Sequence, residues 1–159
     1  MTKRFVISFV FILILCKLLA ARIGMWKAYM AYNDMTWVEQ GGNNIYVLAS
    51  NNLYAYNKND KSILTYDKTN GLNDAGISFI AWNNSTKRLV IIYSNNNIDL
   101  LGEKGNIVNV MDYYNNSMAV DKTINSVDMN GANCYLSTGF GIIKLNVAKA
   151  EISDTYNLG

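Results

Sequence analysis

The chain of 159 residues has no histidine, no proline and only two cysteines. Without His, the usual general base, triad partner and zinc ligand are all missing. Without Pro, tight turns must be made by Asn, Asp and Gly, which tolerate the left-handed backbone. The sequence supplies 23 Asn and 11 Gly for that purpose. Two Cys cannot build a cysteine-based metal cluster. There is also no basic stripe of the kind a nucleic-acid binder carries, so no nucleic-acid partner is expected. Long apolar runs are missing too. The longest, Phe5–Cys16, falls short of the roughly 20 residues a spanning helix needs, and Lys17 ends it.

Residues 1–21 have the layout of a secretory signal peptide. A basic start (Lys3, Arg4) precedes the apolar run, and Ala20 and Ala21 follow as small residues for cleavage. An uncleaved anchor is the alternative. Cys16 invites a lipoprotein reading, but Leu15 stands where that processing wants a small residue. Cleavage near Ala21 removes three basic residues, so the formal charge of +2 becomes −1, with 11 basic against 12 acidic residues. It also leaves Cys134 as the single mature cysteine, so packed sheets and not disulfides must hold the exported chain together. Cys134 reads as a small buried hydrophobe.

What is present is β-forming. Half the residues are hydrophobic, with 11 Tyr, 3 Trp and many Val and Ile in short runs between Asn and Gly. The runs repeat. Ile45–Ser50, Arg88–Tyr93 and Cys134–Ser137 are each followed by a polar turn and a second strand. Those second strands start at Leu53, Ile98 and Ile142, which lie 45 and 44 residues apart. Ile63–Tyr66, Ile107–Asp112 and Glu151–Asp154 form a third set. Thr36–Glu39, Ile77–Trp82 and Ile124–Met129 form a fourth that opens each unit. Four strands in about 44 residues is the spacing of a β-propeller blade. A parallel β-solenoid is the rival, though its rungs are much shorter. The expected organisation is therefore a signal peptide (1–21), a connecting segment (22–34) and three all-β blades at about 35–70, 71–116 and 117–159. Blade two, Gly71–Leu101 at its heart, is the one with a neighbour on each side and should be the best ordered. A closed ring needs about 4–8 blades. The chain is thus expected to be an incomplete ring: a fragment whose remaining blades come from missing sequence, or a ring completed by several copies.

Chemistry-bearing residues are sparse. The acids Asp99, Glu103, Asp112, Asp121 and Asp128 are scattered over strands and turns and read as solvated carboxylates. Gly139-Phe140-Gly141 is followed by no helix and is expected to be a turn between blade strands, not a phosphate loop. Asn57–Asp60 reads as a hairpin turn, not a calcium loop. Trp26, Trp37, Trp82 and the pair Tyr113-Tyr114 are possible sugar-stacking platforms. Trp82, at a strand end, is expected to pack between blades. Trp26, Tyr113 and Tyr114 lie in connecting segments and are the better binding candidates. Asn83-Asn84-Ser85-Thr86 and Asn115-Asn116-Ser117 contain glycosylation sequons, relevant only in a eukaryotic source. No catalytic, metal or cofactor-binding residue is assigned.

Three segments carry a family resemblance: Gly71–Leu101, Asp121–Asn146 (DKTINSVDMNGANCYLSTGFGIIKLN) and Glu151–Gly159 (EISDTYNLG). With Trp26–Tyr32 (WKAYMAY), they resemble the N-terminal β-propeller of the PorZ family. That family belongs to the type IX secretion system of Bacteroidetes. A looser resemblance, at Gly71-Leu72 and the following strand pair, is to two-component regulator propeller repeats. The first implies a non-enzymatic cell-surface or outer-membrane component. Its implied partners are a sortase-type protein, outer-membrane components and anionic lipopolysaccharide, engaged while exported cargo is attached. The second implies the periplasmic, ligand-sensing part of a hybrid two-component regulator. Neither implies a cofactor. A polysaccharide-active enzyme is a third possibility and would need two carboxylates converging in a cleft.

Overall fold

A computed structural model describes residues 29–117 and 119–157. The signal-peptide segment 1–21, Cys16 and Trp26 lie outside the described residues. Twelve strands follow one another: β1 Met35–Gly41, β2 Asn44–Ala49, β3 Asn52–Asn57, β4 Ile63–Tyr66, β5 Ile77–Asn83, β6 Arg88–Tyr93, β7 Ile98–Gly102, β8 Ile107–Val110, β9 Ile124–Asn130, β10 Asn133–Thr138, β11 Gly141–Asn146 and β12 Glu151–Asn157. A single-turn helix, α1 Asp112–Asn115, sits between β8 and β9. The strands make three four-stranded sheets in simple sequence order, and every pairing within them is antiparallel. This is the blade pattern and excludes the parallel solenoid. The first strands of the blades meet, with β5 lying against both β1 and β9.

Cross-strand register assigns each residue to a blade face, because partners in a ladder project to the same side. In blade two, one face carries Ile80, Ile91, Asp99 and Asn109 with Trp82, Leu89, Leu101 and Ile107. It packs with Tyr46, Leu48, Leu53, Ala55 and Tyr66 of blade one in one core. The other face carries Phe79, Val90, Ile92, Ile98, Leu100, Val108 and Val110 and joins Cys134, Leu136, Ile143 and Leu145 of blade three in a second core. With both faces covered, β6 and β7 have no water side. That is why Leu89–Tyr93 is apolar without alternation. Fully burying one such Leu or Ile contributes about 1.5–3 kcal/mol. These two apolar sandwiches therefore dominate inter-blade cohesion.

Polar pins supplement them. Asn83 donates to Gly131 O at 3.0 Å, and its Oδ1 accepts from Thr86 N at 2.9 Å. Arg88 Nη1 donates to Val147 O at 2.8 Å. Trp82 stacks on Tyr46 with ring centroids 5.7 Å apart and planes at 20°, as its strand-end position suggested. The Asn57–Asp60 segment is a turn closed by Asn57 Oδ1, which accepts from Asn59 N at 2.9 Å. Gly139 and Phe140 turn the chain between β10 and β11.

One expected strand is too long. Ile107–Asp112 stops at Val110, the last residue that pairs with β7. Met111 takes a helical backbone (φ −87°, ψ −8°), and Asp112 opens α1 instead of continuing the ladder.

Candidate functional site

The three inner strands frame a concavity of about 400 Å³, lined by Trp37 and Glu39 of β1, Phe79–Trp82 of β5 and Asn125–Met129 of β9. Inner strands pair on one side only, so their other edge offers backbone N–H and C=O groups to the hollow. One of these groups is already taken. Trp82 N–H donates to Glu39 Oε2 at 3.2 Å, bridging blades one and two. Glu39 Oε1 accepts from Trp37 Nε1 at 2.9 Å, so the same carboxylate fixes the Trp37 indole. Trp37 is nonetheless 49% exposed. An oriented aromatic face beside a carboxylate is equipped to bind. Glu39 is occupied as a tie between strands, and among the described residues no group of three or more Cys, Asp or Glu side chains is placed to hold a metal ion.

Asp99 overturns the reading of scattered, solvated acids. It is fully buried. Its oxygens accept from Asn73 N and Nδ2 at 2.9 Å each, Tyr93 Oη at 2.6 Å and Asn109 Nδ2 at 2.8 Å. The physical reason is its register: Asp99 lies between Ile91 and Asn109 on the face that meets blade one. From there it clasps the loop that carries the chain from blade one into blade two. Burial, then Asp99 itself, pushes the Tyr93 phenol well above the ordinary tyrosine range. Glu103, Asp112, Asp121 and Asp128 are exposed, as expected.

The sequence candidates scatter. Trp26 lies outside the described residues. Tyr113 is buried, 3% exposed, within the core between blades two and three. Its Oη donates to Lys122 O at 2.6 Å, and the Lys122 ammonium sits 4.7 Å from its ring centroid. Tyr113 therefore has no free ring face for a sugar, which corrects the expectation of a paired platform. Tyr114, the next residue on α1, is 44% exposed. Lys122 Nζ also donates to the carbonyls of Tyr113, Tyr114 and Asn116, the last at 2.7 Å, and so caps the helix end. Burial pushes the Tyr113 hydroxyl up to about 12, with Asp121 adding to it. Cys134 is a free, buried thiol, pushed up to about 12 by burial and then by Asp128. Asn83 of the first sequon is buried and already hydrogen-bonded. Trp37, one of the aromatics named from the sequence, is brought to the concavity by the structure. Its signal was a Trp on a strand that opens a blade, next but one to an acid.

The family described as the N-terminal β-propeller domain of PorZ, of the type IX secretion system, matches residues 45–159. PorZ of Porphyromonas gingivalis, described as an essential bacterial surface component of the type IX secretion system, superposes with a TM-score of 0.78 at 34% identity. That alignment covers 84% of this chain and 18% of PorZ, so the chain spans under a fifth of that relative's length. The extracellular domain of BT4673 from B. thetaiotaomicron gives a TM-score of 0.61 at 14% identity, covering 84% of this chain and 18% of that one. AztD of Citrobacter koseri gives 0.58 at 14% identity, covering 79% and 34%. Likeness at those identities shows a shared fold alone. No curated protein sequence matches the chain.

Proposed function

Since the chain belongs to the PorZ N-terminal β-propeller family, we propose that it is a non-enzymatic binding module of a type IX secretion component. In this reading it works at the cell surface, holding a protein partner or anionic lipopolysaccharide while exported cargo is attached. The observation that carries the reading is the family match over residues 45–159 together with 34% identity to a surface component of that system. The signal-peptide pattern of residues 1–21 agrees with export. The sortase-type and outer-membrane partners come from the resemblance of the quoted segments.

The site chemistry favours binding over catalysis. The inner concavity is lined by Glu39 and Asp128, but Glu39 Oε2 ties β1 to β5 through Trp82 N–H and its Oε1 holds the Trp37 indole of its own strand. The buried Asp99 is enclosed by four donors of its own blade and the adjoining loop. Neither carboxylate is free to act as a glycosidase acid or nucleophile. Rigid blades presenting turns and an inner hollow suit a scaffold.

Two measurements test this reading. In the source bacterium, deleting the gene is expected to release type IX cargo that is normally held at the surface, and restoring the gene should recover its retention. Unchanged cargo retention would remove the secretion role. The purified product of the whole gene is expected to bind anionic lipopolysaccharide on a sensor surface. Absence of binding with the cargo defect intact would assign the propeller to a protein partner.

A further inference from the structure

We propose that the concavity framed by β1, β5 and β9 binds a cation: the ammonium or guanidinium of a lysine or arginine side chain on a peptide partner. The proposal stands on the lining of the hollow and not on the family's place in secretion. Trp37 offers a large aromatic surface, 49% exposed, whose plane is held because its Nε1 donates to Glu39 Oε1 at 2.9 Å. An indole is the ring that attracts cations most strongly over its face. Two carboxylates, Glu39 and Asp128, line the same hollow, and among its described lining residues there is no Lys or Arg. Each Glu39 oxygen accepts one hydrogen bond in the structure, and a carboxylate oxygen has lone pairs for a second. Asp128 adds its charge at the β9 rim, where its ladder with Tyr135 and Lys144 directs the side chain to the outward face of blade three.

The charge balance selects the ligand. An anionic saccharide would meet two like charges and no counter-charge, which disfavours it. A cation would satisfy the aromatic face and the spare lone pairs of Glu39 together. The volume of about 400 Å³ lies within the usual span of ligand pockets and admits a long side chain.

The test uses the whole 159-residue chain and N-acetyl-arginine amide as probe, followed through the Trp37 indole N–H resonance. N-acetyl-glutamate amide and methyl glucoside are the comparison probes. The expected result is a saturable shift of the Trp37 signal by the arginine amide that weakens as salt is added. The glutamate amide should produce none, and the glucoside none of comparable affinity. Trp37→Leu is expected to weaken arginine binding, read by ligand-observed NMR, by about tenfold. Asp128→Asn, an exposed change that leaves the fold alone, should weaken it about threefold. The proposal is overturned if no saturable shift appears. Equal binding of the glucoside or the glutamate amide overturns it as well, as does undiminished arginine binding by a Trp37→Leu protein that melts like the parent.

Discussion

Asp99 is a fully buried acid on a core face, and its four donors make it a fixed point of blade two. Replacing it by alanine leaves the buried Tyr93 hydroxyl without its acceptor and releases the exposed Asn73, while Asn109 Nδ2 keeps Asn97 Oδ1 and Ile98 O. Such a buried group costs about 1–3 kcal/mol. Asp99→Ala is therefore expected to lower the urea-unfolding free energy at neutral pH by about 1–3 kcal/mol. Asp99→Asn keeps the shape and one acceptor and should lose less. A cost near zero for Asp99→Ala would mean that the loop does not need its clasp. Alkaline pH probes the same interiors. Burial raises Tyr66 and Tyr113 from 10.0 to about 12, and Cys134 from 9.0 to about 12. These groups ionise in the unfolded chain at lower pH than in the folded one. Their contribution is complete well below pH 9, is eroded once the unfolded Cys and Tyr ionise from 9.0 and 10.0, and is lost as pH rises towards 12. The urea midpoint should accordingly fall between pH 8.5 and about 11.5, and peptide mapping should find Cys134 unreactive to iodoacetamide until the protein unfolds. A midpoint that stays level over that range, or rapid labelling of the native thiol, would contradict the burial.

At the level of elements, the hairpin turns do more than reverse the chain. The β5–β6 turn reaches blade three through Asn83 and Gly131 O. Asn83→Ala removes that pin and frees Thr86 N, whose partner it was. The expected loss is about 1–3 kcal/mol, read as a lower melting temperature. Gly41 closes β1 against Trp82, and a Cβ there would lie 2.4 Å from the Trp82 ring. Because that ring is stacked on Tyr46, it cannot retreat freely. Gly41→Ala should then cost about 1–3 kcal/mol by overpacking, whereas a neutral result would show that the stack is loose.

The repeating strands were legible in the sequence because short runs of β-forming residues stand between polar turns. Arg88–Tyr93 and Ile63–Tyr66 run between Asn-rich turns and match their strands end to end. The end of β8 was not legible, since nothing in Ile107–Asp112 announces the helical backbone at Met111. Face assignment was the larger gap. Asp99 in NIDLL looks like any strand acid until the register sets it beside Ile91 and Asn109. Likewise, adjacency cannot tell which of Tyr113 and Tyr114 turns inward on a single helical turn. Glu39 acts on Trp82, 43 residues later, a blade-to-blade contact that the repeat period does not encode.

Across the whole molecule, the two outward blade faces differ in chemistry. On blade one, the ladder Val38, Val47, Tyr54, Thr65 and its neighbour Gln40, Ile45, Tyr56, Ile63 make an apolar face. Val38 is 58% and Ile63 65% exposed on it. On blade three, the corresponding ladders are Asp128, Tyr135, Lys144, Asp154 and Ser126, Ser137, Ile142, Tyr156. Apolar exposure of the first kind drives association, while the second kind is content in water. Self-association of the 159-residue chain is therefore expected to run through blade one. Val38→Lys with Ile63→Lys should shift sedimentation of the purified chain towards monomer, because two like charges would have to be buried in each contact. Ile142→Lys on blade three should leave the distribution where it was. The middle blade, covered on both sides, should show the slowest amide exchange at β6 and β7, with β12 exchanging first. If the blade-three change disperses the chain and the blade-one pair does not, the polarity of the ladders is a poor guide to which face seeks cover.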